Sequence, residues 1–241
     1  MSVNRILRAA LTVGAAAFLA SCDIEAVAPM RTFDIVNVAK SGVPIAVNAM
    51  ITGTFASKDW CYDEGSMAIG AIGTADVPIQ AMGCKPAGDK ATGQFQLTTS
   101  LVRTAGAANP ETVVPEVLAG DLVRFAVFPH GSHKDLLSVG IFMDTAKLEQ
   151  AKAQLMAMPV FKRGKDTGEF TLNLSMSITN DLPTPAKFYL KDVGAGEDLP
   201  SDESVLTIPP GGTDTVQLDD PVKQQQLTQQ GWVNFFAMAA K

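Results

Sequence analysis

Two histidines and three cysteines are the scarce reactive side chains of this 241-residue chain. His130-Gly131-Ser132-His133, followed by Asp135, has the spacing of a turn-borne divalent metal site. Two imidazoles three apart would supply nitrogen ligands and the carboxylate an oxygen. The further and outer-shell ligands such a site needs are not evident, so the set is a weak metal candidate. No Gly-x-Ser-x-Gly elbow, glycine-rich phosphate loop or His-Glu-x-x-His helix is present. A serine or cysteine nucleophile would have only His130 and His133 as imidazole bases. The acidic pairs Asp63-Glu64, Glu197-Asp198, Asp202-Glu203 and Asp219-Asp220 lie in glycine- and proline-rich stretches, where neighbouring charges form solvated surface. The residues therefore name no catalytic group and no cofactor, and the expectation is a protein that is not an enzyme.

The elements that would carry these residues are mostly strands. Residues 23–32 contain Pro29 and read as a tether. Phe33 to Val38 reads as a strand, paired across Lys40-Ser41-Gly42 with the alternating set Ile45, Val47, Ala49, Ile51 and Phe55. Four glycines punctuate residues 60–84, with Trp60 and Tyr62 flanking Cys61. Phe95, Leu97, Thr99 and Leu101 alternate as another strand, and 104–120, with two prolines, reads as a long loop. Val123, Phe125 and Val127 pair with Leu137, Val139 and Ile141 as a hairpin whose tip carries His130 and His133.

Asp144 to Met158 predicts a helix capped by Asp144 and stopped by Pro159. Beyond it, Phe170, Leu172, Leu174, Met176 and Ile178 give the cleanest strand. A turn at Asn180-Asp181-Leu182-Pro183 leads to a strand with Phe188 and Leu190, and a hairpin turns at Pro209 to Gly212. Asp220-Pro221 opens a polar helix ended by Gly231, and Trp232 to Met238 is a final strand. The short strands and proline-glycine turns of this half are similar to immunoglobulin-like sandwich domains. The expected fold is mainly β (α+β), with two strand-rich units joined by an amphipathic helix. The boundaries are 33–143 for an N-terminal β-rich domain, 144–159 for the linking helix and 160–241 for a C-terminal sandwich-like domain.

The N-terminus fixes a location. Arg5 and Arg8 precede an uncharged run, Ala9 to Ala20, which is 12 residues long. That is short of the roughly 17–25 residues needed to span a bilayer, and it matches a secretory signal. Leu19-Ala20-Ser21-Cys22 resembles the lipobox of bacterial lipoproteins. The resemblance implies cleavage of a signal peptide, 1–21, before Cys22, diacylglycerol on its sulfur, acylation of the new amine, and a lipidated tether over 22–32. Two or more acyl chains hold a protein stably where one is marginal. The resemblance also leaves Cys61 and Cys84 in a disulfide-permissive compartment, so a bridge is implied, the alternatives being two free thiols or a two-ligand metal site. Asp23, directly after Cys22, resembles the inner-membrane retention signal of enteric lipoproteins. The order of parts resembles a group of uncharacterised prophage-region lipoproteins of enteric bacteria, which implies context and no catalytic residues.

Without residues 1–21 the chain keeps 17 Lys and Arg against 25 Asp and Glu, a net −8. Such a body gains nothing from phosphate backbones, so no nucleic-acid partner is expected, and anchoring falls to the acyl chains rather than to anionic lipid. The functional expectation is a membrane-anchored, periplasm-facing envelope protein that binds another envelope or phage component, as in superinfection exclusion or envelope modification. The inner membrane is favoured by Asp23, with the outer membrane open. Alternative expectations are a periplasmic module for a small apolar or lipid ligand, and a metal-dependent hydrolase using His130, His133 and Asp135.

Overall fold

Period-two patterning builds strands, and all the described ones enter one sheet. The computed structural model describes residues 23–55, 58–62, 78–105, 110–131, 133–157, 171–191, 199 and 205–239. Among these, the strands are β1 (Asp23–Arg31), β2 (Ile45–Phe55), β3 (Ile79–Ala87), β4 (Lys90–Arg103), β5 (Val123–Pro129), β6 (Leu136–Met143), β7 (Thr171–Thr179), β8 (Ala186–Tyr189), β9 (Val205–Ile208), β10 (Thr213–Gln217) and β11 (Trp232–Ala239). The helices are α1 (Thr32–Ser41), α2 (Pro110–Leu118), α3 (Thr145–Ala157) and α4 (Pro221–Gln230), with a 3₁₀ turn at Lys58–Cys61. The strand order is β10-β7-β1-β2-β4-β5-β6-β11-β8-β9, with β3 added beside β4. β1 with β7 and β4 with β5 run parallel, and the other pairs antiparallel. The two ends of this path, β9 and β10, are joined by the turn 209–212, so the sheet nearly closes into a barrel.

The mainly β expectation holds, and the finer division of the fold is corrected. Strands of the two expected units share hydrogen bonds: β1 lies along β7 from Asp23↔Thr171 to Arg31↔Thr179, and β11 pairs with β6. The linking helix therefore does not divide the sheet. Among the described residues the immunoglobulin-like sandwich expected over the second half is not confirmed: β7 sits between β10 and β1, and β11 between β6 and β8. The Val205–Leu218 hairpin is corrected too: its strands flank the turn, but β9 pairs with β8 and β10 with β7.

Two further corrections concern the start. The tether expected up to residue 32 is strand β1 from Asp23 onward. Pro29 is tolerated because it lies beyond Val27, the last β1 residue paired with β2, where β1 is an edge on that side. Phe33 to Val38 is helical: Thr32, Ile35 and Val38, three apart, are buried on one face. The 104–120 loop contains α2, with Pro110 at its first position and Pro115 inside.

The core is the barrel interior. Val47, Ala49, Leu101, Phe125, Val127, Val139, Ile141, Met176, Ile178, Phe188, Phe236 and Met238 line it, with Ile35 and Val38 of α1 and Leu227 of α4 packed in. Connectivity puts the helices at opposite ends. α1 follows the C-terminal end of β1, while α4 follows the C-terminal end of β10, which points the other way beside β7. Phe188 and Phe236 meet edge to face at 5.3 Å, a preferred aromatic geometry. A second layer lies outside, where Val117 and Leu118 of α2 cover Ala126, Phe128 and Phe142, and Trp232 stacks on Phe142. Gly140 makes room for this layer, since a β-carbon there would meet Val233 O at 3.0 Å and both phenylalanine rings at 3.3 Å.

The helix ends match their sequence signals. Asp144 Oδ1 accepts the Lys147 amide at 2.9 Å, and Asp220 Oδ1 accepts that of Val222 at 2.8 Å. α1 is different: Arg31 at its N-cap offers no side-chain cap, and Asp181 supplies it from just beyond the end of the adjacent strand β7. Asp181 Oδ1 accepts the Phe33 amide at 2.8 Å and the Thr32 hydroxyl at 2.9 Å, and Oδ2 pairs with Arg31 Nε at 2.8 Å. Partial burial pushes this carboxyl up. The Phe33 amide, the Thr32 hydroxyl, its own amide and the Arg31 guanidinium outweigh that and hold it below the ordinary 3.8.

A carboxyl depressed in the folded state contributes stability that is complete above its unfolded-state value and lost as pH falls through the folded one. Thermal melts of Asp181→Ala and the native chain should therefore differ by about 1 kcal/mol at pH 7 and by less in acid. A constant difference down to the acid limit would contradict the capping role.

Candidate functional site

The two cysteines left after Cys22 meet. Cys61, at the end of the 3₁₀ turn, and Cys84, in β3, form a disulfide with S–S 2.03 Å and Cα–Cα 5.1 Å. β3 extends the sheet where β5 is absent, because β4 pairs with β5 only over Leu101–Arg103 and with β3 over Lys90–Leu97, while β2 runs along the other side of β4 to Ala91. β3 is mostly exposed and buries little apolar surface, so the bridge and the bond from the Lys58 amide to Asp89 O tie the β3–β4 hairpin down. Closing 22 intervening residues contributes about 3 kcal/mol on the chain-entropy account. Cys61→Ser/Cys84→Ser should lose about that much in denaturant titration. Amide exchange should speed up in β3 and stay slow in β6 and β11, and uniform acceleration would show that the bridge braces the whole barrel instead.

The histidines sit at the tip joining β5 and β6, as their sequence position predicts. The His130 amide donates to Leu136 O at 3.1 Å and the Leu136 amide to His133 O at 3.0 Å. His130 Nδ1 accepts the His133 amide at 3.3 Å, so that lone pair serves the turn. The rings lie 5.4 Å apart and tilted by 50°, and Asp135 is exposed. Among the described residues no three His, Cys, Asp or Glu side chains converge to hold a metal ion. Of the acidic pairs, Asp219-Asp220 is exposed and opens α4, while 63–64, 197–198 and 202–203 lie outside the described residues. Cys22 does too, whereas Asp23 is the first residue of β1. Tyr62 is 63% exposed.

An apolar ligand would need an enclosed hydrophobic cavity of about 300 Å³ or more. The inward side chains of Val38, Val127, Val139, Met176, Ile178 and Phe188 have 0% of their surface accessible, so no water-sized void borders them. A mixed, largely polar hollow lies among the described residues where the outward side chains of β1, β2, β7 and β10 meet. It measures about 480 Å³ and is lined by Glu25 of β1, Thr52 and Thr54 of β2, Asn173, Leu174 and Ser175 of β7, Gln217 of β10, and Leu218 and Asp219 beyond it. Register brings these together: Glu25 is opposite both Thr52 and Asn173, and Ser175 is opposite Gln217. Three hydroxyls, two amides and two carboxylates give acceptors and donors suited to a polar, hydrogen-bonding ligand or surface. In the sequence, Thr52, Asn173 and Ser175 alternate with the apolar residues of β2 and β7, which puts them on the outward faces. Their convergence depends on the β1–β7 pairing, which joins residues 148 apart.

No described helix is long and apolar enough to cross a membrane. No protein-family model matches the chain, and neither does any curated protein or solved structure.

Proposed function

We propose that the protein is a lipid-anchored bacterial envelope lipoprotein whose barrel has a binding rather than a catalytic role, toward another envelope or phage component. The observation that carries this reading is the position of β1: the first strand begins at Asp23, directly after Leu19-Ala20-Ser21-Cys22. Cleavage before Cys22 thus leaves every described strand in place and the lipidated residue one peptide link from β1. The Cys61–Cys84 bridge supports the same reading, since such bonds persist in exported proteins. The binding surface favoured is the polar outer hollow around Glu25, Asn173 and Gln217. Asp23 favours the inner membrane, with the body facing the periplasm.

Detergent-phase separation of cell lysates tests the anchor. The native chain should enter the detergent phase and Cys22→Ser the aqueous phase or an uncleaved band. Unchanged detergent partition of Cys22→Ser would refute the lipid anchor.

A further inference from the structure

We infer, resting on the lipid-anchor reading, that the barrel stands on the bilayer with no flexible spacer. The α4 end with the disulfide-tied hairpin would contact the headgroups, and the α1 end would point away. A chain advances at most about 3.6 Å per residue, so one peptide link separates the lipidated Cys22 from a residue already in the sheet. That residue has no slack, because Asp23 pairs with Thr171, and Ile24 pairs with both Leu172 and Gly53. A lipoprotein with a disordered tether lets its body tumble, whereas this one holds a rim against the surface.

Register identifies the rim. Ile24 is opposite Gly53, so β2 continues two residues farther to Phe55, which is opposite Ala91 of β4, itself opposite Pro86 of β3. The hairpin turn at Gly88 and Asp89 lies beyond that row. β10 points to the same end and leads into α4, where Lys223 Nζ donates to Leu190 O at 3.0 Å at the exit of β8. Exposed Tyr62, Met82, Leu190 and Val222 are thereby on the anchored end, while Phe33 and Val43 are exposed at the α1 end. Exposed Lys58, Lys85 and Lys90 stand with exposed Asp89, Asp219 and Asp220.

Apolar side chains among charges of both signs suit a zwitterionic headgroup layer, in which lysine stems cover apolar surface while their ammonium groups stay hydrated. The contact should therefore be insensitive to salt, unlike docking on anionic lipid. The hollow at Glu25 and Asn173 opens beside the bilayer, and a protein partner would approach from the side or from the α1 end.

Amine footprinting of the lipidated native protein in phosphatidylcholine vesicles tests this, using a bulky, membrane-impermeant acylating reagent read by peptide mass spectrometry. Lys58, Lys85 and Lys90 should lose labelling, while Lys40 at the end of α1 and Lys134 in the β5–β6 turn should label fully, at low and high salt alike. Equal labelling at both ends in protein that carries lipid and floats with the vesicles would overturn the orientation while leaving the anchor intact. Protein that carries no lipid and does not float would overturn both.

Discussion

Asn180→Ala should destabilise the protein by on the order of 3–5 kcal/mol, more than any surface change near it. Asn180 has 0% of its surface accessible and sits where β7, the β9–β10 turn, the approach to β8 and α1 converge. Its Nδ2 donates to Thr184 O at 2.9 Å and Ile208 O at 2.8 Å, and its Oδ1 accepts the Leu182 amide at 3.1 Å. The backbone is engaged as well, with its amide on Gly212 O at 2.9 Å and its carbonyl accepting Gly211 N at 2.7 Å. The Thr32 hydroxyl, 3.1 Å from Oδ1, links this hub to the Asp181 cap of α1. Alanine keeps the backbone bonds and orphans two carbonyls and an amide, each costing about 1–3 kcal/mol when water cannot reach it. Asn180→Asp keeps the shape but puts one carboxylate oxygen against both carbonyls that Nδ2 serves, so it should be at least as damaging. Urea titration of both variants decides the point, and an aspartate variant as stable as the native chain would show that volume rather than donation matters.

The second large effect is expected at Gly231, where α4 turns into β11. Its φ is +74°, and a β-carbon there would lie 2.7 Å from Met143 O, the atom of a backbone that also donates its amide to Gly231 O at 2.7 Å. Gly211 has the same φ of +74° in the β9–β10 turn but open space around it. The pair separates two costs. Gly211→Ala bears only the left-handed backbone penalty, about 1–2 kcal/mol. Gly231→Ala bears that penalty and must also push the end of β6 away from β11, so about 3 kcal/mol or more is expected. Equal melting shifts for the two variants would contradict the close approach of β6 to the cap.

Local signals in the sequence survive wherever the partners are local. The β5–β6 hairpin, α3 with its Asp144 cap, α4 between Asp220 and Gly231, and the alternation of β7 all follow from residues within a few positions of one another. What escapes is what distant residues decide. The β-branched Ile35, Val36 and Val38 favour a strand locally, yet α1 is helical because Asp181, 148 residues on from Phe33, caps it and the barrel end buries one side. β1 contains Pro29 and lacks clean alternation, and becomes a strand because β7 offers a parallel partner along its whole length. Pro115 masks α2, whose helix is held by apolar contacts to Ala126, Phe128 and Phe142 on the outside of the sheet. The same non-local pairing hides the closure of the sheet and the outer hollow. Among the candidate site residues, the cysteine pair is legible because the lipobox reading removes Cys22 from the choice, and the structure joins the remaining two.

The intact mass of the N-terminal peptide of protein extracted from membranes tests the central claim most directly. The mature chain should begin at Cys22, immediately followed by Asp23, and be heavier than its sequence by a diacylglyceryl group and an N-linked acyl chain. A mature chain that begins elsewhere, or begins at Cys22 with an unmodified thiol and amine, would contradict it.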